Sequence, residues 1–346
     1  MSKQISIKQI ATIAGVSAGT VDRVLHNRGK VSAKNKEAVE NALAQVNYKI
    51  NIHTSAVSFR KTLNIVVTTP EAEADSYWAS ILDGITSARE EYHDISINLI
   101  YKSYSQFDEN SCREVFVQTL EEKPDAVIIG PTFSIITKDF CSQLDSNNTP
   151  YVFVDATIEG TNPYASFTTD QMSCGLLVGK LLEAGKGPVA VLSTERIGER
   201  SHNTILREKG IVEYFHQNGI TADIRWSKFS AIDKDCAFAT LDKFFKENKD
   251  VRNIAVLNSR GYIVADCLQR LGLNRQNVIS FDITKPNREC LNKGSISMLI
   301  CQRPEAQGYK ALDAIIHKLF YNLSTPTHHL MPIDVVFRET LPFYSI

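Results

Sequence analysis

The sequence predicts an α/β chain with a three-helix helix-turn-helix headpiece followed by two doubly wound parallel-sheet lobes. Three observations lead there. Between Ile5 and Tyr48, apolar residues recur at helical spacing in three short segments parted by turn residues. From Leu63 onward, short β-rich apolar runs alternate with helical periodicity, in two sets of four. Charge is divided as well: residues 1–61 carry ten Lys or Arg against three acids, and the remainder carries 28 against 36.

Ser6 and Gln9 form a capping box, so the first helix starts there, runs through Ile7, Ile10, Ala11 and Ala14, and stops at Gly15. Ser17 caps a second helix whose Val21, Val24 and Leu25 fall at i, i+3 and i+4 and face Ile10, Ile13 and Val16. Ser32 caps a third, with Val39, Ala42, Leu43 and Val46 covering the first two. Two short helices joined by about three residues make a helix-turn-helix. A basic cap on an acidic body is the footprint of a phosphate-binding surface.

These residues carry a resemblance. Ile7 to Asn51 resembles the DNA-binding headpiece of the LacI/GalR family of bacterial transcription regulators, through Ala14-Gly15-Val16-Ser17, Thr20-Val21, Arg23-Val24, Val31-Ser32 and Asn47-Tyr48. The resemblance implies double-stranded operator DNA as a partner, a homodimer, and a small-molecule effector, a sugar or sugar derivative being the family's prior. Arg23 aligns with the family's base-reading arginine and could fork onto a guanine. Ala18 and Gly19 stand where many members carry base-contacting side chains, which leaves operator choice to lean on Arg23, Asp22, His26 and DNA shape. Ser17, Thr20, Asn27, Arg28, Lys30, Ser32 and Lys34 are phosphate candidates. In the family the segment matching residues 49–61 folds into a hinge helix on DNA and wedges an apolar side chain into the minor groove. Val57 stands at the wedge position, where the family commonly has leucine. Read alone, the segment is a linker with few good helix formers.

Beyond it the strands are expected at 63–69, 95–101, 126–130 and 151–154, then 189–193, 223–226, 253–257 and 278–281. Helices are expected at 78–92, 110–122 and 134–146, then 171–183, 202–217, 235–247 and 261–271. Continuous apolar strands alternating with helices indicate parallel sheets covered on both faces. This is the architecture of the periplasmic-binding-protein type 1-like sensor domain, which the family resemblance also implies. The expected domains are the headpiece at 1–48, a hinge at 49–61 and a sensor at 62–346. Within the sensor, one lobe takes about 62–164 and 296–321 and the other about 165–295 and 322–346, with crossings near Ala165, Ser295 and Asn322.

Open α/β sheets bind ligands beyond the carboxyl ends of their strands. Asp155, Asn258, Asp282 and Gln302 follow strands, and Arg207 with Gly210 sits on the helix after Ser193. All five positions match ones from which the family contacts effector. A carboxylate accepts from vicinal hydroxyls, and an arginine donates a fork to oxygen atoms. Tyr77 and Trp78, after the first strand, offer either an aromatic face for a sugar's C–H surface or an anchor in the core or at the lobe edge.

Several classes are excluded or set aside. No run of 18 apolar residues exists, so no membrane span is expected, and the N-terminus lacks an apolar signal core, which points to the cytoplasm. Seven scattered cysteines without a C-x-x-C pair read as reduced core thiols. Neither G-x-G-x-x-G nor a P-loop occurs, His328-His329 has no metal-site partner nearby, and no cofactor or metal is expected. Gly15-Val16-Ser17-Ala18-Gly19 spells G-x-S-x-G, but it joins two helices where a nucleophile elbow needs a strand before it. The sequence therefore indicates a ligand-responsive DNA-binding regulator, with no enzyme activity. Alternatives are a solute-binding protein or sugar-processing enzyme of the same two-lobed fold, a regulator of a non-sugar metabolite, and a constitutive architectural DNA binder. An enzyme would need paired carboxylates roughly 5–10 Å apart in the cleft.

Overall fold

Gly15 adopts φ +64°, a left-handed conformation open to a residue without a side chain, and there the first helix ends. The Val16 amide donates to the Ala11 carbonyl at 3.0 Å and the Gly15 amide to Thr12 at 3.4 Å, the bond pair of a Schellman stop. The structure is a computed structural model describing residues 7–25, 31–45, 62–183, 185, 187–195, 201–273, 276–321 and 327–344. It divides into two compact units: Met1–Thr62 with Tyr92–Ser96 and Ile316–Thr325, and the rest of the chain.

The headpiece consists of α1 (Ile7–Ala14), α2 (Ala18–Leu25) and α3 (Ala33–Gln45). The Ser17 hydroxyl accepts from the Thr20 amide at 3.1 Å, so Ser17 is the cap of α2. Ser32 accepts from the Asn35 amide at 3.4 Å, a weaker cap. Ile10, Ala11, Val21, Val39 and Ala42 form the core, and Ala14, Val16, Ala18, Val24 and Leu43 pack on it. Ile13 is a correction: it stands 45% exposed. At 100° per residue, Ala11 and Ala14 lie to one side of Ile10 and Ile13 to the other, so the seam passes it by. The Ser6 cap, Val46, Asn47, Tyr48 and the hinge at 49–61 lie outside the described residues.

The second unit holds two six-stranded sheets, ordered β11-β5-β4-β3-β1-β2 and β12-β10-β9-β8-β6-β7. The first set of strands is β1 (Leu63–Pro70), β2 (Ile97–Tyr104), β3 (Ala126–Ile129), β4 (Tyr151–Asp155) and β5 (Ala165–Thr168). The second is β6 (Val189–Thr194), β7 (Ile224–Phe229), β8 (Asn253–Val256), β9 (Asn277–Phe281) and β10 (Met298–Cys301), after which β11 (His328–Leu330) and β12 (Asp334–Val336) close one edge of each sheet. All pairings are parallel except β10 with β12. The helices are α4 (Tyr77–Glu91), α5 (Glu109–Glu121), α6 (Ser134–Ser146), α7 (Gln171–Glu183), α8 (His202–Gln217), α9 (Lys234–Glu247), α10 (Gly261–Arg270), α11 (Lys285–Lys293) and α12 (Pro304–Tyr321).

Burial on both faces shows in how the strands divide their residues. Ala190, Leu192, Ile254 and Val256 enter one core cluster, while their neighbours Val189, Val191, Ala255 and Leu257 enter another. Alternation of a strand's side chains across a covered sheet does this, and it demands the unbroken apolar runs seen in the sequence.

Each lobe has six strands where four were expected, and the three crossings shift accordingly. β5 pairs with β4 in the first sheet, so the chain leaves that lobe at Thr169–Asp170, after Ala165 and not at it. β10 pairs with β9 in the second sheet, so the return comes at Gln302–Arg303 and not near Ser295. β11 belongs to the first sheet and β12 to the second, which puts the last crossing at 331–333, while Asn322 lies outside the described residues. β2 also starts two residues later than expected, because Ile95 donates to Tyr92 in a turn. Five of the cysteines are buried free thiols; Cys290 is partly buried and Cys236 is exposed, so Cys236 is not a core thiol.

One close approach sets the position of the site. A Cβ on Gly175 would stand 2.2 Å from the Arg207 carbonyl, and one on Gly210 would stand 2.3 Å from that of Met172. The two glycines let α7 and α8 touch backbone to backbone, which brings Gln171 within reach of Arg207. Gly210→Ala must force these helices apart, and we expect a loss of about 1–3 kcal/mol in urea unfolding. An unchanged midpoint would show that the helices do not approach this closely.

Candidate functional site

All seven residues singled out for ligand contact, Tyr77, Trp78, Asp155, Arg207, Asn258, Asp282 and Gln302, line one cleft of about 620 Å³ between the two lobes. Asp155 ends β4 and Asp282 follows β9, and both have left-handed backbone, at φ +70° and +64°. Non-glycine residues rarely take this conformation, and aspartate is among those that tolerate it. The surroundings hold it in place: Asp155 donates its amide to Gln307 Oε1 at 2.8 Å, and Asp282 donates its own to the Ile300 carbonyl at 2.8 Å. Asn287 Nδ2 reaches the Phe281, Asp282 and Ser259 carbonyls at 2.9, 3.2 and 3.0 Å.

Gln302 is the hub. Its Oε1 accepts from Arg207 Nη2 at 2.8 Å and Gln171 Nε2 at 3.0 Å, and its Nε2 donates to Asp282 Oδ1 at 2.9 Å. Arg207, 4% exposed, also donates Nε to Gln171 Oε1 and Nη1 to the Leu257 carbonyl, each at 2.7 Å. Its guanidinium carbon lies 3.8 Å from the centre of the Phe281 ring. Three protein acceptors and an aromatic face thus fix the arginine, and the fork expected for a ligand is in part spent on organising the cleft floor.

On the opposite wall, Tyr77 donates its hydroxyl to Asp155 Oδ1 at 2.8 Å, and Asn203 Nδ2 donates to Asp155 Oδ2 at 3.1 Å. Asn203 belongs to α8, so this bond joins the lobes. A second bridge joins Lys285 to Asp75, by amide to carbonyl at 3.3 Å and by ammonium to carboxylate at 3.5 Å. Trp78 meets Tyr77 edge to face with ring centres 5.4 Å apart. Asn258 turns inward on its own loop: Oδ1 accepts from the Arg260 amide at 2.9 Å and Nδ2 donates to Thr194 at 3.1 Å.

Gln171, Asn203 and Gln307 are members of the network that sequence reasoning missed. Asn203 lies one turn before Arg207 on the same helix, and that i, i+4 spacing was a usable signal. Gln171 opens the helix that follows the first crossing, and Gln307 lies on a helix that was not anticipated.

Burial dominates the electrostatics. It pushes the Asp282 carboxyl up to about 7; the Gln302 hydrogen bond and the Arg207 charge oppose that, and Asp155 adds to it. Burial likewise raises the Tyr77 phenol well above its usual range, with Asp155 and Asp282 adding to the effect. Among the described residues, no cluster of three or more His, Cys, Asp or Glu is placed to hold a metal.

In the headpiece, Arg23 is exposed and its Nε donates to the Gly19 carbonyl at 3.0 Å, which lays the side chain along the helix. Gly19, Ser17, Ser32 and Lys34 are exposed, while Asp22 and Thr20 are half-buried. The Thr20 hydroxyl bonds that of Ser17 at 2.9 Å. Ala18 packs partly on the headpiece core, so its methyl is less available for a base than expected. His26, Asn27, Arg28, Lys30 and Val57 lie outside the described residues.

A helix-turn-helix domain heading two parallel-sheet lobes that share a polar cleft defines a two-part, binding-protein-like architecture. Residues 65–320 match the periplasmic binding protein domain model, and residues 6–51 match the model of bacterial regulatory proteins, lacI family. Over most of its length the chain belongs to the periplasmic binding protein domain family, and its headpiece matches the lacI family model. It is 25% identical to catabolite control protein A of Staphylococcus aureus over 62% of this chain, and spans 63% of that relative's length. It is 26% identical to the HTH-type transcriptional regulator RafR of Escherichia coli, covering 62% of each chain. Among solved structures, one assigned to the LacI transcriptional regulators, from Bacteroides fragilis, superposes with a TM-score of 0.79 at 26% identity, over 82% of this chain and all (100%) of that one. The glucose-galactose binding protein GanP of Geobacillus stearothermophilus shares the fold, with a TM-score of 0.70 at 20% identity, over 82% of this chain and 100% of its own. Among the described residues, no helix is long and apolar enough to cross a membrane.

The raised Asp282 carboxyl carries a pH signature. The folded state holds this proton more tightly than the unfolded one, so the associated stability is complete below the unfolded value and is lost as pH rises through about 7. The thermal midpoint of the wild-type chain should therefore fall between pH 5 and pH 8 relative to that of Asp282→Asn. Parallel profiles for the two proteins would refute a buried, proton-holding Asp282.

Proposed function

We propose that this chain is a ligand-responsive, sequence-specific transcriptional regulator that binds an approximately palindromic operator as a homodimer. A small sugar-like effector in the inter-lobe cleft controls its affinity for DNA. The observation carrying this reading is the cleft: a polar floor of Arg207, Gln302 and Asp282 faces Asp155 and an aromatic wall across two lobes, in a chain whose headpiece is basic. Carboxylates, amides and an aromatic edge are the groups that bind a polyol, and relatives and neighbours named for catabolite control and for sugars support the same class.

The mechanism is linkage. A ligand that accepts from Asn203 and donates to Asp155 competes with the bond joining these residues, so the effector reports on the lobe contact itself. It shifts the lobe equilibrium only by its differential affinity for the two arrangements, typically about 1–3 kcal/mol in such systems. In the headpiece, α2 would enter the major groove with Arg23 at the base edges while Ser17, Thr20, Ser32 and Lys34 hold phosphates.

Selection of genomic fragments by the purified protein, with a polyanion competitor at near-physiological salt, should return one palindromic motif. Sequence-independent binding alone would sink the regulator reading. With that operator in hand, Arg23→Ala should lose about 1–3 kcal/mol of discrimination while retaining ligand binding. Asp282→Ala should bind operator normally without effector and fail to respond to it, as read by DNA anisotropy; a normal response would put the effector elsewhere.

A further inference from the structure

Two apolar side chains that line the cleft, one from each lobe, occupy matching places in the fold. Phe107 stands three residues past the end of β2 and Ile232 three past the end of β7, the strands at one edge of each sheet. The two turns are built alike. Ser105 Oγ accepts from the Phe107 amide and Ser230 Oγ from the Ile232 amide, each at 3.3 Å. The next residue is in both turns an aspartate that caps a helix. Asp108 Oδ1 accepts from the Asn110 amide at 2.9 Å, and Asp233 Oδ1 from the Asp235 and Cys236 amides, also at 2.9 Å. A serine turn on one side and a capped helix on the other hold each apolar residue at a fixed point.

An apolar residue just before a helix cap ordinarily packs on the fourth residue of that helix, as a hydrophobic staple. Those residues are Cys112 and Ala237, and both are buried. Neither Phe107 nor Ile232, however, is among the described residues that pack on a hydrophobic core, and Ile232 stands 70% exposed. Stapling therefore does not account for the pair. The volume of the cleft points to a ligand that would. At about 620 Å³ it has room for roughly twenty waters of about 30 Å³ each, more than one sugar ring on its floor would displace.

We propose that the effector is a glycoside with an aromatic aglycone, its sugar ring on the polar floor of Arg207, Gln302 and Asp282 and its aglycone ring against Phe107 and Ile232. The inference rests on the cleft being a sugar site and names what that sugar carries. An aromatic ring leaves water on meeting Phe107 and Ile232 and asks them for no hydrogen bond. A second sugar ring would bring hydroxyls to the same two side chains, which have no polar atom to pair with them. Because the pair is supplied by both lobes, burying the aglycone favours the arrangement that brings the lobes together on it.

The probes are methyl and 4-nitrophenyl glycosides of glucose, galactose, arabinose and xylose, in both anomeric forms, titrated into the whole chain by calorimetry with 4-nitrophenol as the control. At least one sugar should bind, and its nitrophenyl glycoside should bind about tenfold or more tighter than its methyl glycoside. Phe107→Ser and Ile232→Ser should each shrink that ratio, and the double variant should abolish it. Ile232→Ser alters an exposed turn and is the independent test should Phe107→Ser unfold. Sugar binding without an aryl preference would overturn the inference and leave the sugar reading standing. So would an equal loss for both glycosides in the variants, which would make the pair a lid, or 4-nitrophenol binding as tightly as its glycoside. Failure of every glycoside to bind would strike the sugar reading itself, and this inference with it.

Discussion

The contact on which the cleft depends is the hydrogen bond between Gln302 Oε1 and Arg207 Nη2, at 2.8 Å. Gln302 sits where the chain passes between lobes, and Arg207 is fixed in the second lobe by Gln171, the Leu257 carbonyl and the Phe281 ring. A buried guanidinium is tolerable only when its donors are satisfied, and here the glutamines and a carbonyl do that without a formal counter-ion in contact. The same amide then faces Asp282 with its nitrogen side. One glutamine therefore links a cation, a carboxyl group and a crossing segment, and the orientation of its amide sets the polarity of the cleft floor.

Much of the fold was legible because its elements declare themselves physically. Strands covered on both faces must be apolar throughout, and seven of the expected helices end within one residue of those observed. The shortfall was systematic. β5, β11 and β12 are three or four residues long, and Ala165-Ser-Phe-Thr, His328-His-Leu and Asp334-Val-Val contain no apolar run to mark a strand. They exist because a neighbouring strand is already in place, which is information about tertiary pairing and not about local sequence. Those omissions moved the first and third crossings, and the second moved because the four-residue β10 (Met298–Cys301), although an apolar run, was not among the expected strands either.

The same distinction governs the site. Asp155 and Asp282 were readable as polar residues at the ends of apolar strands, a position with a physical meaning in open sheets. Gln171, Asn203 and Gln307 lie on helices, where an amide ordinarily marks a solvated face; here Gln171 and Gln307 are buried. Arg207 was found but cast in a role that its own partners partly occupy, and Asn258 proved to cap its own loop. Residue identity locates polar chemistry, whereas the unspent hydrogen-bonding capacity of each group becomes visible only when all its neighbours are known.

The late return of the chain to its first sheet orders events during synthesis. The first lobe begins at β1, yet the helix α12 and the edge strand β11 come from residues 304–330, near the end of the chain. The second lobe, once begun, needs only the three-residue strand β12 from beyond its main block. A ribosome moving from the N-terminus therefore releases the sequence of the first sheet early but its closing pieces only after five strands of the other sheet are available to fold. The lobe that starts first finishes late, and until then its unpaired edge at β5 stays open to other strands.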